Sequence, residues 1–189
     1  MGAQYYYFIS SLPLLRLGEE PKIDSQSFLD LCSYRVSQDI TEQLKAVTLI
    51  PRESATFAVE SAWNAFETCL RNALVRVRAS ALRKEAHPYL SEEKDAFSHL
   101  ESQIQEAISK DPRRMEEQLD RLRWQVLDDL SVGHDFDENA LLLYRIKLLL
   151  VEKRVGLSPS EGRNLLDRGL NEALEHTALA ASLGSEEAT

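Results

Sequence analysis

The chain has 189 residues, of which 43% are hydrophobic and 28% are charged. Those values predict a globular chain whose core needs neither a disulfide nor a structural metal. The formal charge of −9 argues against a nucleic-acid partner, because affinity for phosphate comes from clustered Lys and Arg.

The N-terminal segment YYYFISSLPLL begins with a run of aromatic residues, Tyr5, Tyr6, Tyr7 and Phe8. We expect it to form a short extended or helical segment. Its apolar stretch is interrupted by serines, Pro13 and Arg16, and no basic residue precedes it, which is not typical of a signal peptide. Two roles stay open. The aromatic rings could pack against the core, or they could form an exposed patch used for docking.

Two short helices are predicted next, each with its own capping residue. Asp24 and Ser25 can cap the first and Ser37 the second. Spacings of three and four residues assign inward-facing side chains to both helices. They are Phe28, Leu31 and Cys32 in the first, and Ile40, Leu44 and Val47 in the second.

The strongest helical pattern follows and predicts a long central helix. Its apolar residues recur every three or four positions over about six turns. They are Val59, Trp63, Phe66, Leu70, Ala73 or Leu74, Val77 and Ala81. Glu67 and Arg71 are four residues apart in the favourable order. His87-Pro88 is the predicted end of the helix.

Four further helices are predicted after the central one. They begin near Ser91, at Asp111-Pro112, at an Asp135/Glu138 capping pair and at Ser158-Pro159. The third, ALLLYRIKLLLV, is apolar on most sides and should be buried. The sequence therefore predicts an all-α bundle of about seven helices. We expect a single helical domain over residues 1–183, with 1–87 and 91–183 as possible sub-lobes and a frayed tail over 184–189.

No pattern of catalytic, cofactor-binding or metal-ligating residues emerges. The seven glycines form no phosphate-binding loop. The four histidines have no partner at the spacing that places two metal ligands on one helix face. Cys32 and Cys69 fall among apolar positions and are expected to be buried free thiols, which fits a reducing compartment. We therefore predict a protein without enzymatic activity or cofactor.

Two polar sets stand out as structural or interaction candidates. One is Arg71 and Asn72 in the middle of the central helix. The other is Glu138, Asn139, Arg145 and Lys147 in the leucine-rich helix, where Glu138 and Arg145 share a face with leucines. Because a buried charge is costly unless it is paired, these residues form either an internal polar network that fixes helix register or a contact with a partner.

Basic residues also cluster at 71–84 and 113–123. We interpret these clusters as solvated helix faces and as helix C-termini, where the helix dipole favours cations.

Three stretches together resemble a family of short uncharacterised proteins encoded with bacterial V-type ATPase genes. They are YYYFISSLPLL followed by SFLDLC, WNAFETCLRNALVRVRASAL, and DENALLLYRIKLLLVEKRVGLSPSEGRNLLDRG. The third stretch is also similar to a segment of the C-subunit family of V-type ATPases, whose eukaryotic members are called d subunits. In that segment an acidic residue and an asparagine precede a basic helix, which corresponds here to Glu138, Asn139, Arg145 and Lys147.

The resemblance implies an all-helical, non-catalytic coupling protein that sits on the membrane rotor ring and receives the central stalk. Members of the C-subunit family are built from three related helical bundles and are much longer. This chain would therefore supply only a part, as a shortened replacement or an accessory protein. The implied partners are the proteins of the central stalk and of the ring.

Two rival functions remain open beside this one. The chain could be an unrelated helical adaptor or regulator, or a small-molecule enzyme or sensor with a pocket between helices. No stretch reaches the roughly 20 apolar residues of a membrane span. We therefore expect a cytoplasmic protein, attached to the inner membrane only through the complex.

Overall fold

The fold is described from a computed structural model that covers residues 5–52, 55–92, 101–108 and 111–156. These residues contain seven α-helices and no β-strand, which confirms the predicted all-α bundle. The helices are α1 (Tyr6–Ser11), α2 (Ser25–Arg35), α3 (Gln38–Ala46), α4 (Ala58–Ala81), α5 (Glu101–Ala107), α6 (Pro112–Leu130) and α7 (Glu138–Gly156). A short 3₁₀ turn also spans His87–Tyr89.

The chain divides into two units, Met1–Glu152 and Lys153–Thr189. Of the second unit only residues 153–156, the end of α7, are described. The helix predicted from Ser158 and the tail 184–189 lie outside the described residues, so the predicted domain boundaries stay a prediction.

The helix starts follow local capping chemistry. The Asp24 carboxylate accepts a hydrogen bond from the Ser27 N–H at 2.7 Å and caps α2, as predicted. Ser37 caps α3 through the Ile40 N–H at 3.5 Å. The predicted Asp135/Glu138 pair is wrong, because Asp137 caps α7 by accepting from the Ala140 N–H at 3.0 Å.

The central helix α4 has 24 residues and is the longest of the helices in the described ranges. Val59, Trp63, Phe66 and Leu70 are buried as predicted, because their spacing places them on one face. The prediction is wrong for the C-terminal end of this apolar stripe, because Val77 and Ala81 are exposed.

The predicted end of α4 at His87-Pro88 is also wrong. The helix ends at Ala81. The Lys84 N–H donates to the Ala79 carbonyl at 2.9 Å, and the Arg83 N–H donates to the Ser80 carbonyl at 3.1 Å. This is a Schellman motif, and Arg83 occupies its left-handed position with φ of 53°. The helix is therefore stopped by backbone geometry well before the proline.

The core is built around α4 and α7. Helix α7 buries Leu141, Leu142, Leu143, Ile146, Leu148, Leu150 and Val151, as expected for a helix that is apolar on most sides. Helix α2 packs Phe28 against Tyr144 of α7, with ring centroids 5.1 Å apart. On α2, however, Leu29 is buried and Leu31 is 41% exposed, so the predicted inward position of Leu31 is wrong.

Cys32 and Cys69 are buried free thiols, as predicted. Burial raises the pKa of Cys32 to about 12, although the nearby charge of Arg145 opposes this rise. A thiol with such a pKa is a poor nucleophile, so Cys32 behaves as a small apolar core residue.

Candidate functional site

The N-terminal aromatic run divides between the core and the surface. Phe8 is buried, whereas Tyr6 is 54% exposed and Tyr7 is 86% exposed. The Tyr5 N–H donates to the Phe136 carbonyl at 2.7 Å, which ties the segment to the chain just before α7. Packing against the core is thus seen for Phe8, whereas the docking role of the exposed Tyr6 and Tyr7 stays a prediction.

Tyr6, Tyr7 and Phe136 form what we call the N-terminal aromatic surface. The Tyr6 and Phe136 ring centroids are 4.5 Å apart, and Tyr7 meets Tyr6 edge-on at 5.5 Å. Such edge contacts fix ring orientation. The surface therefore exposes two tyrosine rings that contact each other.

The segment after α1 is held against α7 by Tyr144. The Tyr144 hydroxyl donates to the Pro13 carbonyl at 2.9 Å. Burial raises the pKa of Tyr144 to about 12, so the hydroxyl remains a donor at neutral pH. The N-terminal segment is thereby fixed at both of its ends, at Phe136 and at Tyr144.

Helix α2 is joined to the far end of α7 by Glu152. The Glu152 carboxylate accepts from the Ser25 N–H at 2.6 Å and from the Ser25 hydroxyl. Ser25 is the first residue of α2, where backbone N–H groups have no partner within the helix. A carboxylate from α7 therefore satisfies the N-terminus of α2.

The predicted residues Glu138 and Asn139 lie at the start of α7 with different partners. Glu138 acts on Tyr5. Burial raises the pKa of Tyr5 and the negative charge of Glu138 raises it further, whereas a hydrogen bond with Ser37 lowers it. Asn139 lies beside the cap of α7, with its Nδ2 3.4 Å from the Asp137 carboxylate and 3.3 Å from Nδ1 of His134. His134 Nδ1 is 2.6 Å from the same carboxylate.

The predicted residues Arg145 and Lys147 lie in contrasting environments. The Arg145 side chain is buried, and its Nε and Nη1 atoms have no hydrogen-bond partner among the described residues. Burial lowers the pKa of Arg145, and the charge of Glu152 opposes this. Lys147 instead donates to the Asp128 carboxylate at 2.6 Å and lies over the Trp124 ring at 5.4 Å.

Arg71 and Asn72 are adjacent in sequence but serve different contacts. Arg71 is exposed, and its Nε donates to the buried carboxylate of Glu67 at 3.2 Å. Asn72 is buried and makes two hydrogen bonds with the Ser91 backbone, at 2.9 Å and 3.0 Å. Arg145 has its own neighbours on α2 and α7, so these three residues are distributed over separate contacts.

A buried charge cluster joins α4 to α6, and sequence reasoning missed it. Glu67 accepts from Arg71 and from Arg123, and Arg123 also bonds Asp120 at 3.0 Å. Burial alone would lower the pKa of Arg123, but Glu67 and Asp120 raise it above its ordinary value. The available signal was that Glu60 and Glu67 are seven residues apart on the buried face of α4.

Two surface hollows lie beside the helices described above, one next to α4 and one next to α6 and α7. One of about 500 Å³ is lined by Arg52, Ser61, Asn64, Thr68, Ser91 and Glu92 beside smaller residues. Arg52 pairs with Glu60, and Asn64 donates to the Arg52 carbonyl at 3.0 Å. A second hollow of about 480 Å³ is more apolar and lies between the N-terminal segment, Trp124 and Tyr144.

Membrane-spanning helices and metal clusters are both absent from the described part of the chain. Among the residues of the four described ranges, no helix is both long enough and apolar enough to cross a membrane. Within those same ranges, no three His, Cys, Asp or Glu side chains are grouped so that they could hold a metal ion.

Comparison with known proteins gives one match. Residues 90–176, slightly less than half of the chain, match the model of a family described as a protein of unknown function (DUF2764). The matched range includes α5, α6, α7 and the candidates Glu138, Asn139, Arg145 and Lys147. No curated protein and no solved structure matches the chain.

Proposed function

We propose that this protein is a non-catalytic subunit or accessory factor of a bacterial V-type rotary ATPase. In this role it is similar to part of the C-subunit family and couples the central stalk to the membrane rotor ring. Its partners are the stalk and ring proteins, and it is attached to the inner membrane through them.

The observation that carries this proposal is that the first and third of the resembling stretches pack together where the structure describes them. The stretch YYYFISSLPLL contacts the α7 region through the Tyr5–Phe136 and Tyr144–Pro13 hydrogen bonds. SFLDLC lies on α2, which contacts α7 through Phe28 and Tyr144. A similarity carried by one packed substructure supports a shared architecture better than similarities scattered over the chain would.

A role through shape and contact agrees with how the polar side chains are used. Glu67, Arg123 and Asp120 bond one another between two helices, and Glu152 holds the start of α2. In the larger hollow, Asn64 and Arg52 are likewise engaged within the chain. These groups stabilise the scaffold, which supports the non-catalytic proposal over a small-molecule enzyme.

The N-terminal aromatic surface offers a direct test of partner binding. Tagged protein is used to capture partners from native membranes, and the captured proteins are identified by mass spectrometry. The variant is Tyr7→Ser. The matched control is Tyr34→Ser, because Tyr34 is exposed to 84% and Tyr7 to 86%, so both changes remove a similar exposed ring.

We expect the V-type head, stalk and ring proteins to be captured in fixed ratios by the unchanged protein and by Tyr34→Ser. We expect Tyr7→Ser to capture at least about tenfold less, the loss typical of a central aromatic interface residue. If the unchanged protein captures other soluble proteins and none of these ATPase components, the ATPase proposal fails. The helical adaptor then becomes the better explanation.

A further inference from the structure

The end of α4 and the segment after it, residues 76–89, are largely exposed and rich in cations, and we call them the basic tip. From residue 80 to residue 89 every side chain except Ala86 is exposed. The tip carries four basic residues and one acidic residue, Glu85, on a chain whose formal charge is −9. Its charge is thus opposite in sign to that of the chain as a whole.

Three cations of the basic tip are available for an outside contact. Within the described ranges Arg78, Arg83 and Lys84 form no ion pair. Some exposed cations elsewhere in the described ranges are paired, such as Lys45 with Glu42 at 2.8 Å and Arg16 with Glu19 at 3.4 Å. The cations of the tip therefore keep their full attraction for an anionic surface.

Apolar side chains lie exposed among these cations. Leu82 is 68% exposed and Tyr89 is 65% exposed. The helix dipole accounts for a cation in the last turn, such as Arg78. The helix dipole does not account for the exposed Leu82. It also does not account for Arg83 at a φ of 53°, where glycine is the usual residue. Strained positions of this kind are often retained for function.

We propose that the basic tip binds the anionic surface of a phospholipid membrane. Arg78, Arg83 and Lys84 would contact lipid phosphates, while Leu82 and Tyr89 enter the interfacial region. Mixed cationic and apolar side chains are typical of proteins that lie on a membrane without spanning it, and tyrosine is favoured at that interface.

The form of the tip favours a membrane over an acidic protein or a nucleic acid. A fluid membrane surface can accept the exposed cations of residues 80–89 without a matching groove. The two exposed apolar side chains, Leu82 between cations in the sequence and Tyr89 five residues after Lys84, also gain from an apolar layer beneath the phosphates. This inference does not depend on the proposed ATPase function.

The test measures binding of the purified full chain to vesicles by sedimentation. One set of vesicles contains equal parts of phosphatidylglycerol and phosphatidylcholine, and the other contains phosphatidylcholine alone. The tip variant combines Arg78→Gln, Arg83→Gln and Lys84→Gln. The matched control combines Lys22→Gln, Arg35→Gln and Arg121→Gln, which removes the same charge from other exposed positions. Circular dichroism checks that both variants keep their helix content.

We expect binding to the anionic vesicles only, weakened by added salt. The tip variant should bind about 100-fold more weakly, since each cation near an anionic leaflet contributes about a fivefold gain in affinity. The control should bind as the unchanged protein does. A second variant, Leu82→Ser with Tyr89→Ser, should also lose affinity while its charge is unchanged.

Two results would overturn the proposal. One is the absence of binding to anionic vesicles at low salt, which would leave an acidic protein as the better partner for the tip. The other is an equal loss of binding in the tip variant and in the control, since overall charge would then explain it. Capture of ATPase components is measured separately, so either proposal can fail while the other holds.

Discussion

The guanidinium of Arg145 lies in a buried position where neither Nε nor Nη1 has a hydrogen-bond partner among the described residues. Burying a cation without acceptors costs free energy. Its long-range attraction to Glu152, whose oxygens already bond Ser25, offsets only part of that cost. Arg145 therefore weakens the isolated fold relative to an apolar residue of similar length.

We predict that Arg145→Met raises the free energy of unfolding by about 1 kcal/mol, measured by urea denaturation followed by circular dichroism. Lys147→Met is the control on the same helix. It should lower stability by up to about 1 kcal/mol, because it removes the Asp128 ion pair and the contact with Trp124. A loss of stability in Arg145→Met would show that the guanidinium is satisfied within the fold.

At the scale of single elements, the end of α4 places a residue that carries a Cβ atom, Arg83, in a backbone conformation that favours glycine. Arg83 occupies the left-handed position of the Schellman motif, where a Cβ atom is strained. We predict that Arg83→Gly stabilises the protein by about 0.5–1 kcal/mol, seen as a higher denaturation midpoint. Arg83→Ala keeps the Cβ and should give no such gain. Equal effects of glycine and alanine would contradict the strain argument.

The start of α7 makes stability depend on pH through Asp137. Burial would raise the pKa of this carboxyl, but hydrogen bonds from His134, the Ala140 N–H and Asn139 lower it below its ordinary value of 3.8. A carboxyl with a lowered pKa contributes stability that is fully present above the unfolded pKa. That contribution is lost as the pH falls through the folded pKa.

We therefore predict that Asp137→Asn, which keeps the capping oxygen, is less stable than the unchanged protein at pH 5. The difference should shrink as the pH falls below about 4. Urea denaturation at a series of pH values measures both proteins. A difference that stays constant down to about pH 2.5, well below the ordinary carboxyl pKa, would show that the charge of Asp137 adds nothing to its capping role.

At the scale of the whole molecule, the sequence predicted what depends on local chemistry. Residue type predicted the caps at Asp24 and Ser37, and both were confirmed. Spacings of three and four residues predicted the burial of Trp63 and Phe66, which was also confirmed. The segment HDFDEN has several acidic residues within four positions. Spacing alone therefore favoured Asp135 as the capping residue of α7, whereas the structure has Asp137 there. The Glu67–Arg123 pair joins residues 56 positions apart, and no periodicity carries that information.

The candidate residues also divide into those whose contacts are local in sequence, which could be predicted, and those whose contacts depend on tertiary packing, which could not. Arg71 was predicted to meet Glu67, because the two are four residues apart on one helix, and it does. The partner of Asn72 is the backbone of Ser91, 19 residues away in a non-helical segment. The burial of Arg145 depends on how α2 packs against α7, so it could be suspected from the surrounding leucines but not assigned.

The same tertiary packing decides how the N-terminal segment contributes to the molecule. Phe8 is buried in the main core, whereas its neighbour Tyr7 projects into solvent. We predict that Phe8→Ala lowers the free energy of unfolding by about 3 kcal/mol, the usual cost of a large core truncation. Tyr7→Ala should change it by less than about 0.5 kcal/mol, although both changes remove an aromatic ring from the same helix.

Urea denaturation measured by circular dichroism and by tryptophan fluorescence tests this prediction. Trp63 and Trp124 lie on α4 and α6, so fluorescence reports on helices that are distant in sequence from α1. We expect Phe8→Ala to lower the midpoint equally with both probes, because α1 belongs to the same cooperative core. A midpoint that falls with only one probe would mean that α1 folds separately from the core. An equal loss of stability in Tyr7→Ala would contradict the predicted contrast between the buried Phe8 and the exposed Tyr7.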